Sequence, residues 1–261
     1  MADSLRILHL SDPHLHGSNN ARLRGVDTKA LFEATLSQAL ADGRRPDAIL
    51  ATGDLVQDET RAGYQRFRDL VGVAQVPVHV LPGNHDDPAL MREVLDIAPF
   101  QYCGDARHGG WQLVMLSSFA SKDDGGVLDE CELERLERTL AATDRHCLVA
   151  LHHQPVPMGS RWLDGVGLRN ADDFLAVCDR HANVRGIVWG HVHQAFDQYR
   201  GNVRLLSTPS TCAQFKPGSD DFALDNLPPG YRWLELGADG RIGTSLAWLR
   251  QERAGDRSSL G

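Results

Sequence analysis

Short apolar runs that end abruptly at Asp, Asn or His are the feature that most constrains this chain. Each run is five or six residues long, and a polar motif begins within three residues of its end. Runs of this length, bounded by Gly, Pro or Asp, are typical of buried strands. The runs are 5–10, 47–52, 76–81, 147–151 and 184–189. Because helical patterns separate most of them, the chain is predicted to form a parallel sheet of the α/β class.

Helices are predicted where apolar residues recur every three to four positions. The predicted helices are 28–42 with Asp27 as N-cap, 60–72, 130–141, 171–181 with Asn170 as N-cap, and a short one after Pro88. The remaining predicted strands are 111–117, 196–200, 203–207, 231–236 and 242–249. We therefore expect a single α/β domain over 1–252 with mixed sheets. The C-terminal strands should complete a second sheet, and 253–261 should form a flexible tail.

Composition limits the class of partner. The chain carries 27 Lys+Arg against 35 Asp+Glu, a net charge of −8, which argues against nucleic acid or an anionic membrane as partner. No signal-peptide pattern or membrane-length apolar stretch is visible, and the five scattered cysteines form no C-x-x-C. We expect a cytoplasmic protein with reduced thiols that acts on a small molecule. A homodimer is left open.

Five polar motifs follow five of the predicted strands. They are Asp12-Pro13-His14, Gly53-Asp54, Gly83-Asn84-His85-Asp86, His152-His153 and Gly190-His191-Val192-His193. Each motif alone is weak, because D-x-H and G-D each occur elsewhere in the chain. Position gives them weight, since ligands of open α/β sheets bind beyond the carboxyl ends of the strands. The five motifs are therefore expected to meet at one edge.

Such a meeting point would bring together carboxylate, amide and imidazole donors. The candidate metal ligands are Asp12, His14, Asp54, Asn84, His152, His191 and His193. Seven donors are too many for one tetrahedral zinc ion, and suit two ions such as Mn, Fe or Zn with a bridging carboxylate. Two such ions would leave a local positive charge. A small phosphate ester could bind there although the protein as a whole is acidic.

In this order the motifs resemble those of the calcineurin-like metallophosphoesterases, and they span residues 12–193. The resemblance implies an αββα sandwich of two mixed β-sheets flanked by helices, with two metal ions, most often Fe and/or Mn and also Zn. Carried over motif by motif, the first metal would be held by Asp12, His14, Asp54 and His193. Asp54 would bridge to the second metal, which Asn84, His152 and His191 would complete.

The same resemblance implies roles in the reaction. A hydroxide that bridges the metals would attack phosphorus in line with the leaving oxygen. His85 would be the catalytic histidine, and Asn84 and His85 would contact the substrate. Asp86 and His153 are candidates to orient the ligands, with a local capping or solvent-facing role equally open. Asp58 is expected to be a helix N-cap rather than a partner of His85.

Two further stretches, 24–28 and 208–217, resemble the class III 3′,5′-cyclic-AMP phosphodiesterases. This implies hydrolysis of 3′,5′-cyclic AMP, or cyclic nucleotides, to the 5′-monophosphate. One alternative keeps the metals and changes the substrate to a glycerophosphodiester, a pyrophosphate or a general phosphodiester. Another is a non-catalytic scaffold, which the complete set of motifs disfavours. Residues 153–186 contain no apolar or basic insertion of the kind that would favour a lipid substrate, which weakens that alternative.

Overall fold

The computed structural model describes residues 4–250. Its strands are β1 Leu5–Leu10, β2 Ala48–Thr52, β3 Val78–Leu81, β4 Phe100–Tyr102, β5 Gly104–His108, β6 Trp111–Met115, β7 His146–Ala150, β8 Val184–Trp189, β9 Phe196–Arg200, β10 Val203–Ser207, β11 Gly230–Leu236 and β12 Ile242–Trp248. Its helices are α1 Thr28–Ala41, α2 Arg61–Gly72, α3 Pro88–Leu95, α4 Glu130–Ala141, α5 Arg161–Asp164 and α6 Ala171–Asp179. The expected tail at 253–261 lies outside the described residues, and the domain boundary at 252 stays a prediction.

The strands form two six-stranded sheets. The first has the order β12-β11-β1-β2-β3-β4 and the second β5-β6-β7-β8-β10-β9. In the first sheet β1 to β4 are parallel, β11 runs antiparallel to β1, and β12 runs antiparallel to β11. In the second sheet β6, β7, β8 and β10 are parallel, and β5 and β9 are antiparallel edge strands. The predicted pair of mixed sheets is confirmed.

Alternating side chains on the second sheet separate two cores. On β7, Leu148 and Ala150 belong to a large core shared with the first sheet and with α1, α2 and α3. Cys147 and Val149, on the opposite face, pack in a second core with α4 and α6. A strand of period two that is apolar on both faces must be covered on both sides. The layers therefore run helix, sheet, sheet, helix.

Local side-chain bonds set the helix starts. Asp27 accepts a hydrogen bond from the backbone N–H of Ala30 at 3.0 Å, which confirms it as the N-cap of α1. The N-cap of α2 is Thr60, and Asp58 instead binds the backbone N–H of Gly17 at 2.8 Å, so the expected role of Asp58 was wrong. Asn170 precedes α6 without a side-chain cap bond.

The last hairpin corrects the expected sheet assignment. Strands β9 and β10 complete the second sheet, but β11 and β12 join the first, where β11 pairs with β1 from Leu5↔Leu236 to His9↔Arg232. The short strands β4 and β5 were not predicted. The apolar pattern of a strand shows which face is buried but not which distant strand will be its neighbour, because both sheets offer an apolar inner face.

Candidate metal centre

The carboxyl ends of β1, β2, β3, β7 and β8 meet at one edge of the sandwich. Within the first sheet, the N–H of Asp12 donates to the carbonyl of Gly53 at 3.1 Å. Between the sheets, the backbone N–H of His191 donates to both carboxylate oxygens of Asp12, at 3.2 and 3.1 Å. The loops that follow the strands are therefore joined directly, and all seven predicted ligand side chains lie together.

The donors divide into two groups. In the first, Nε2 of His14 lies 3.2 Å from Nε2 of His193 and 3.7 Å from Oδ2 of Asp54, and Nε2 of His193 lies 3.3 Å from Oδ1 of Asp12. Metal–ligand bonds of about 2.1 Å place neighbouring ligands about 3.0–3.4 Å apart, for right angles and tetrahedral angles respectively. The first group has close to the spacing of ligands around one ion.

The second group has the same spacing. Oδ1 of Asn84 lies 3.2 Å from Nε2 of His152 and 3.0 Å from Nδ1 of His191, and these two imidazole nitrogens are 3.2 Å apart. Oδ1 of Asp54 lies 3.5 Å from Nε2 of His152. The two oxygens of Asp54 therefore face different groups. This is the division that the resemblance implies, with Asp54 between the metals.

Hydrogen-bond acceptors on the side away from the centre fix the tautomers of three imidazole rings. The Nδ1 atoms of His14, His152 and His193 lie 2.8, 2.7 and 2.7 Å from an oxygen that can only accept: Oε1 of Gln57 and the carbonyls of Thr52 and Ala213. Each Nδ1 therefore carries a proton, and each ring turns its Nε2 into the centre, where it offers a lone pair whenever the ring is neutral. Two such lone pairs 3.2 Å apart, on His14 and His193, require a positive group between them.

The backbone is strained at the same residues. Asp12, His14, Asp54, His191 and His193 all have left-handed φ angles, between 45° and 63°. Non-glycine residues seldom adopt this region, and such strain persists only where surrounding structure imposes it. Five of the seven predicted ligands share it, which is consistent with loops built to aim side chains rather than to connect strands.

Motif glycines make room for the converging loops. A Cβ at Gly190 would overlap with Oγ of Ser11 and lie 2.8 Å from Oδ2 of Asp12. A Cβ at Gly83 would overlap with Oδ1 of Asp54 and lie 2.7 Å from Cε1 of His152. Glycine therefore precedes Asn84 and His191 because any side chain would push the donor groups apart.

Known proteins share this sequence pattern. The family model described as calcineurin-like phosphoesterase matches residues 5–195. The chain belongs to the calcineurin-like phosphoesterase family. The resemblance read from the motifs is thereby confirmed, and the family fold implies a dinuclear metal centre that the His and Asp clusters fit.

Similar proteins cover almost the whole chain. It is 41% identical over 246 residues to "3′,5′-cyclic adenosine monophosphate phosphodiesterase CpdA" of Pseudomonas aeruginosa, covering 94% of this chain and 90% of the relative. It is 40% identical over 255 residues to the CpdA of Escherichia coli (strain K12), covering 95% and 91%. The fold matches the crystal structure of a dimetal phosphatase from Danio rerio with a TM-score of 0.63 and 14% identity, covering 94% of this chain and 99% of that one.

In this member of the calcineurin-like family, opposing charges hold the centre together. Burial disfavours the imidazolium of His152, but the charge and hydrogen bond of Asp54 and the charge of Asp12 together outweigh it and raise the pKa of His152 to about 9. Burial likewise works against the carboxylates, yet His193 lowers the pKa of Asp12 and His152 lowers that of Asp54. The carboxylates thus need a cation. A bound metal would replace the proton of His152, so metal binding should release protons.

Asp86 lies behind the centre, and the His and Asp clusters within residues 4–250 that could hold a metal do not include it. Its carboxylate accepts the backbone N–H groups of Gly83, Leu55 and Val56 and the hydroxyl of Tyr64, at 2.9, 3.2, 3.3 and 3.1 Å. Burial, together with the charge of Asp54, raises the pKa of Asp86 to about 7. Asp86 therefore fastens the loop after β2 to the loop after β3.

His153 is fully buried beside the second group. Its Nδ1 lies 2.8 Å from Oγ of Ser118 and its Nε2 lies 3.2 Å from the carbonyl of Asp124. Its ring contacts those of His152 and His191, with centroids 4.8 and 4.7 Å away. One ring nitrogen of His153 lies within 4.8 Å of ligand atoms of His152 and His191, but both of its nitrogens have other hydrogen-bond partners, so His153 is placed to support the two rings. The solvent-facing alternative does not hold.

Sequence reasoning missed Gln57. Its amide nitrogen donates to Nδ1 of His85 at 3.2 Å while its amide oxygen accepts from His14. His85 is half-buried at the edge of the centre, and its backbone N–H donates to Oδ1 of Asp54 at 2.9 Å. In the sequence, only the position of Gln57, three residues after Asp54 on the same loop, pointed to a role at the site. Asp58 lies on the same loop, so position alone could not distinguish the two residues.

Proposed function

We propose that this protein is a phosphodiesterase that uses two metal ions to hydrolyse 3′,5′-cyclic AMP to 5′-AMP. The observation that carries the proposal is the pair of donor groups joined by Asp54, with His85 beside them. The named activity of two relatives about 40% identical over most of their length supports the choice of substrate. Seven N and O donors without a thiolate favour Fe and/or Mn, with Zn as the alternative.

The ligand assignments form part of the proposal. The first metal would be held by Asp12, His14, Asp54 and His193, and the second by Asp54, Asn84, His152 and His191. When bound, the two ions would lower the pKa of water to supply the nucleophile and would neutralise the phosphoryl oxygens. Asp54, whose two oxygens face different groups, would help to hold both ions.

His85 would act on the substrate itself. Gln57 donates to Nδ1, so the neutral ring carries its proton on Nε2. This Nε2–H can donate a hydrogen bond to a phosphoryl oxygen or to the departing 3′-oxygen, whereas protonation of the 3′-oxygen would require the imidazolium form of His85. The amide of Asn84 would contact the phosphate while its oxygen faces His152 and His191.

The setting of the protein also remains a proposal. We infer a cytoplasmic protein, which five free cysteines support, four of them buried. Among residues 4–250 no helix combines the length and apolar character needed to cross a membrane. The net charge of −8 supports a small phosphodiester rather than nucleic acid as partner. A single domain over 1–252 and a homodimer stay predictions.

A direct assay tests the proposal. The protein would be purified with Mn²⁺ or Fe, its metal content measured, and its hydrolysis of cyclic AMP, cyclic GMP, a glycerophosphodiester and bis(4-nitrophenyl) phosphate compared. Turnover of cyclic AMP that a chelator abolishes and added metal restores is the expected result. Turnover of only the glycerophosphodiester or the aryl diester would point to the alternative substrate classes, and no turnover of a metal-loaded protein to a scaffold.

A further inference from the structure

A pocket of about 200 Å³ opens beside the candidate metal centre. One side is formed by His14, Gln57, His85 and His193. The other is formed by two loops that are far apart in sequence, 23–26 and 212–224. These loops contain much of the two stretches that resemble the cyclic-nucleotide phosphodiesterases. The fold thus brings both stretches to a single cavity next to the place where phosphate would bind.

Aromatic rings form the floor of this pocket. Phe215 stacks flat on His193, with ring centroids 4.0 Å apart and an angle of 3° between the planes. Phe222 packs edge-on against Phe215 at 5.4 Å, and Trp162 supports both rings at 5.0 and 5.3 Å. The rings hold one another in place, so the pocket presents rigid aromatic surface that reaches the candidate ligand His193.

Arg24 covers the pocket from the other loop. Its guanidinium lies 4.6 Å from the centroid of Phe222. Its backbone has a left-handed φ of 48°, followed by Gly25 at 85°, so the chain turns sharply at this residue. Within residues 4–250 the guanidinium has neither an ion-pair nor a hydrogen-bond partner, so its N–H groups are available to a ligand.

Three exposed apolar side chains lie at or beside the rim of the pocket. Phe222, Leu224 and Leu227 are 42%, 46% and 47% exposed, and they lie within six residues of one another. The segment is ordered by its own backbone bonds, including Lys216 N–H to the carbonyl of Ala223 at 2.8 Å. An ordered, exposed apolar patch next to a reaction centre is typical of a binding site.

We propose that this pocket binds the purine base of the substrate, with Arg24 and Phe222 as the residues that select it. The inference rests on the proposed function and adds the part of the site that recognises the base of the nucleotide. A planar base can stack on the aromatic floor, and its ring nitrogens can accept from the free guanidinium. A glycerol or alkyl group has neither a flat face nor such acceptors, so it would use little of this pocket.

The test compares substrates that differ only in the base. Cyclic AMP and ribose 3′,5′-cyclic phosphate without a base would be assayed with the metal-loaded wild type and with Phe222→Ala and Arg24→Ala. Each variant is expected to lower the ratio of the two kcat/KM values, cyclic AMP over the base-free compound, by about tenfold or more. Tyr199→Ala is the matched control, because Tyr199 is an exposed aromatic residue on β9 whose ring lies 5.4 Å from the guanidinium of Arg204, outside this pocket.

Product binding gives a readout that does not depend on turnover. Calorimetry would compare the affinity of 5′-AMP with that of ribose 5-phosphate, and the two pocket variants should lose most of the difference while Tyr199→Ala keeps it. The pocket inference is wrong, and the proposed function stands, if wild type hydrolyses cyclic AMP but the variants keep the wild-type kcat/KM ratio and the wild-type difference in product affinity. If wild type hydrolyses neither cyclic compound, the proposed function fails and the inference fails with it.

Discussion

Nε2 of Gln57 lies 3.2 Å from Nδ1 of His85 and donates to it. Because an amide nitrogen cannot accept, this contact sets the tautomer of His85 and leaves the proton on Nε2. The other end of the same amide accepts from Nδ1 of His14 at 2.8 Å. Gln57 thus orients a predicted metal ligand and the predicted catalytic histidine together. Its contacts with His14 and with His85 both agree with the same orientation of the amide group.

Two substitutions at Gln57 separate these roles. Gln57→Glu keeps an acceptor for His14 but replaces the donor to His85, so metal affinity should remain while kcat falls about 10–100-fold. Gln57→Leu removes both bonds and should weaken metal binding as well. Metal titration and kcat would be measured for both variants. Equal metal affinity and full kcat in the Glu variant would remove Gln57 from the mechanism.

His85 should matter to turnover and not to metal retention. His85→Ala removes the proton on Nε2 but none of the seven predicted ligands, so two ions should remain while kcat falls by about 100-fold or more. Elemental analysis of the purified variant, alongside kcat for cyclic AMP, measures both quantities. A metal-replete variant with unchanged kcat would contradict the catalytic role.

Asp54 should be needed by both metals. Its Oδ2 lies 3.7 Å from Nε2 of His14 and its Oδ1 lies 3.5 Å from Nε2 of His152, one atom toward each group. We expect Asp54→Ala to lose both ions, and Asn84→Ala to lose chiefly the second. Elemental analysis and circular dichroism would distinguish metal loss from unfolding. A folded Asp54→Ala protein with two ions would refute the bridging position.

Gly83 should tolerate no side chain. A Cβ there would overlap with Oδ1 of Asp54 and lie 2.5 Å from its backbone nitrogen, so Gly83→Ala should destabilise the fold by about 1–3 kcal/mol and weaken metal binding. Gly72→Ala in α2 is the control, because its Cβ would meet no atom within 4 Å and should leave stability equal or about 0.5 kcal/mol higher. Urea unfolding measures both. Similar stabilities for the two variants would count against the packing argument.

Acid should destabilise the metal-free protein through His79. Burial, aided by the charge of His108 whose Nε2 lies 2.8 Å away, lowers the pKa of His79 from 6.5 to about 4. Between these values the unfolded chain binds more protons than the folded one. The free energy of unfolding therefore falls as pH drops below about 6.5, by about 1.4 kcal/mol per unit and up to about 3 kcal/mol near pH 4.

His79→Gln provides the comparison. It removes the titrating ring, so its unfolding free energy in EDTA should depend less steeply on pH between 6.5 and 4 than that of wild type. Urea unfolding at several pH values measures the two slopes. Parallel slopes would show that His79 does not titrate in this way.

The sequence predicted most of the strands and helices because each depends on a local pattern of apolar residues and on its capping residues. Period and length identified β1 and α4, and Asp27 marked the start of α1. Short β4 and β5 carried too few residues for a pattern. The partner of β11 could not be predicted, because an apolar face fits either sheet and the choice depends on contacts between residues far apart in the chain.

The site was predictable to the extent that topology implies it. The rule that parallel strands present their carboxyl ends at one edge predicts from the sequence alone that Asp12, Asp54 and Asn84 lie together. The same rule applies to His152 and His191 in the second sheet. It could not supply Gln57 or Asp86, whose importance lies in distances and in which atom donates.

By itself the sequence determined the donor types, their order and the strands they follow, and these sufficed to indicate the family. Only the tertiary structure decided which atoms of Asp54 face which histidines, and that the loops of Arg24 and Phe222 meet. The physical reason is that a hydrogen bond or a metal site depends on positions to within a fraction of an ångström. Such positions are set by the packing of two whole sheets and not by any local run of residues.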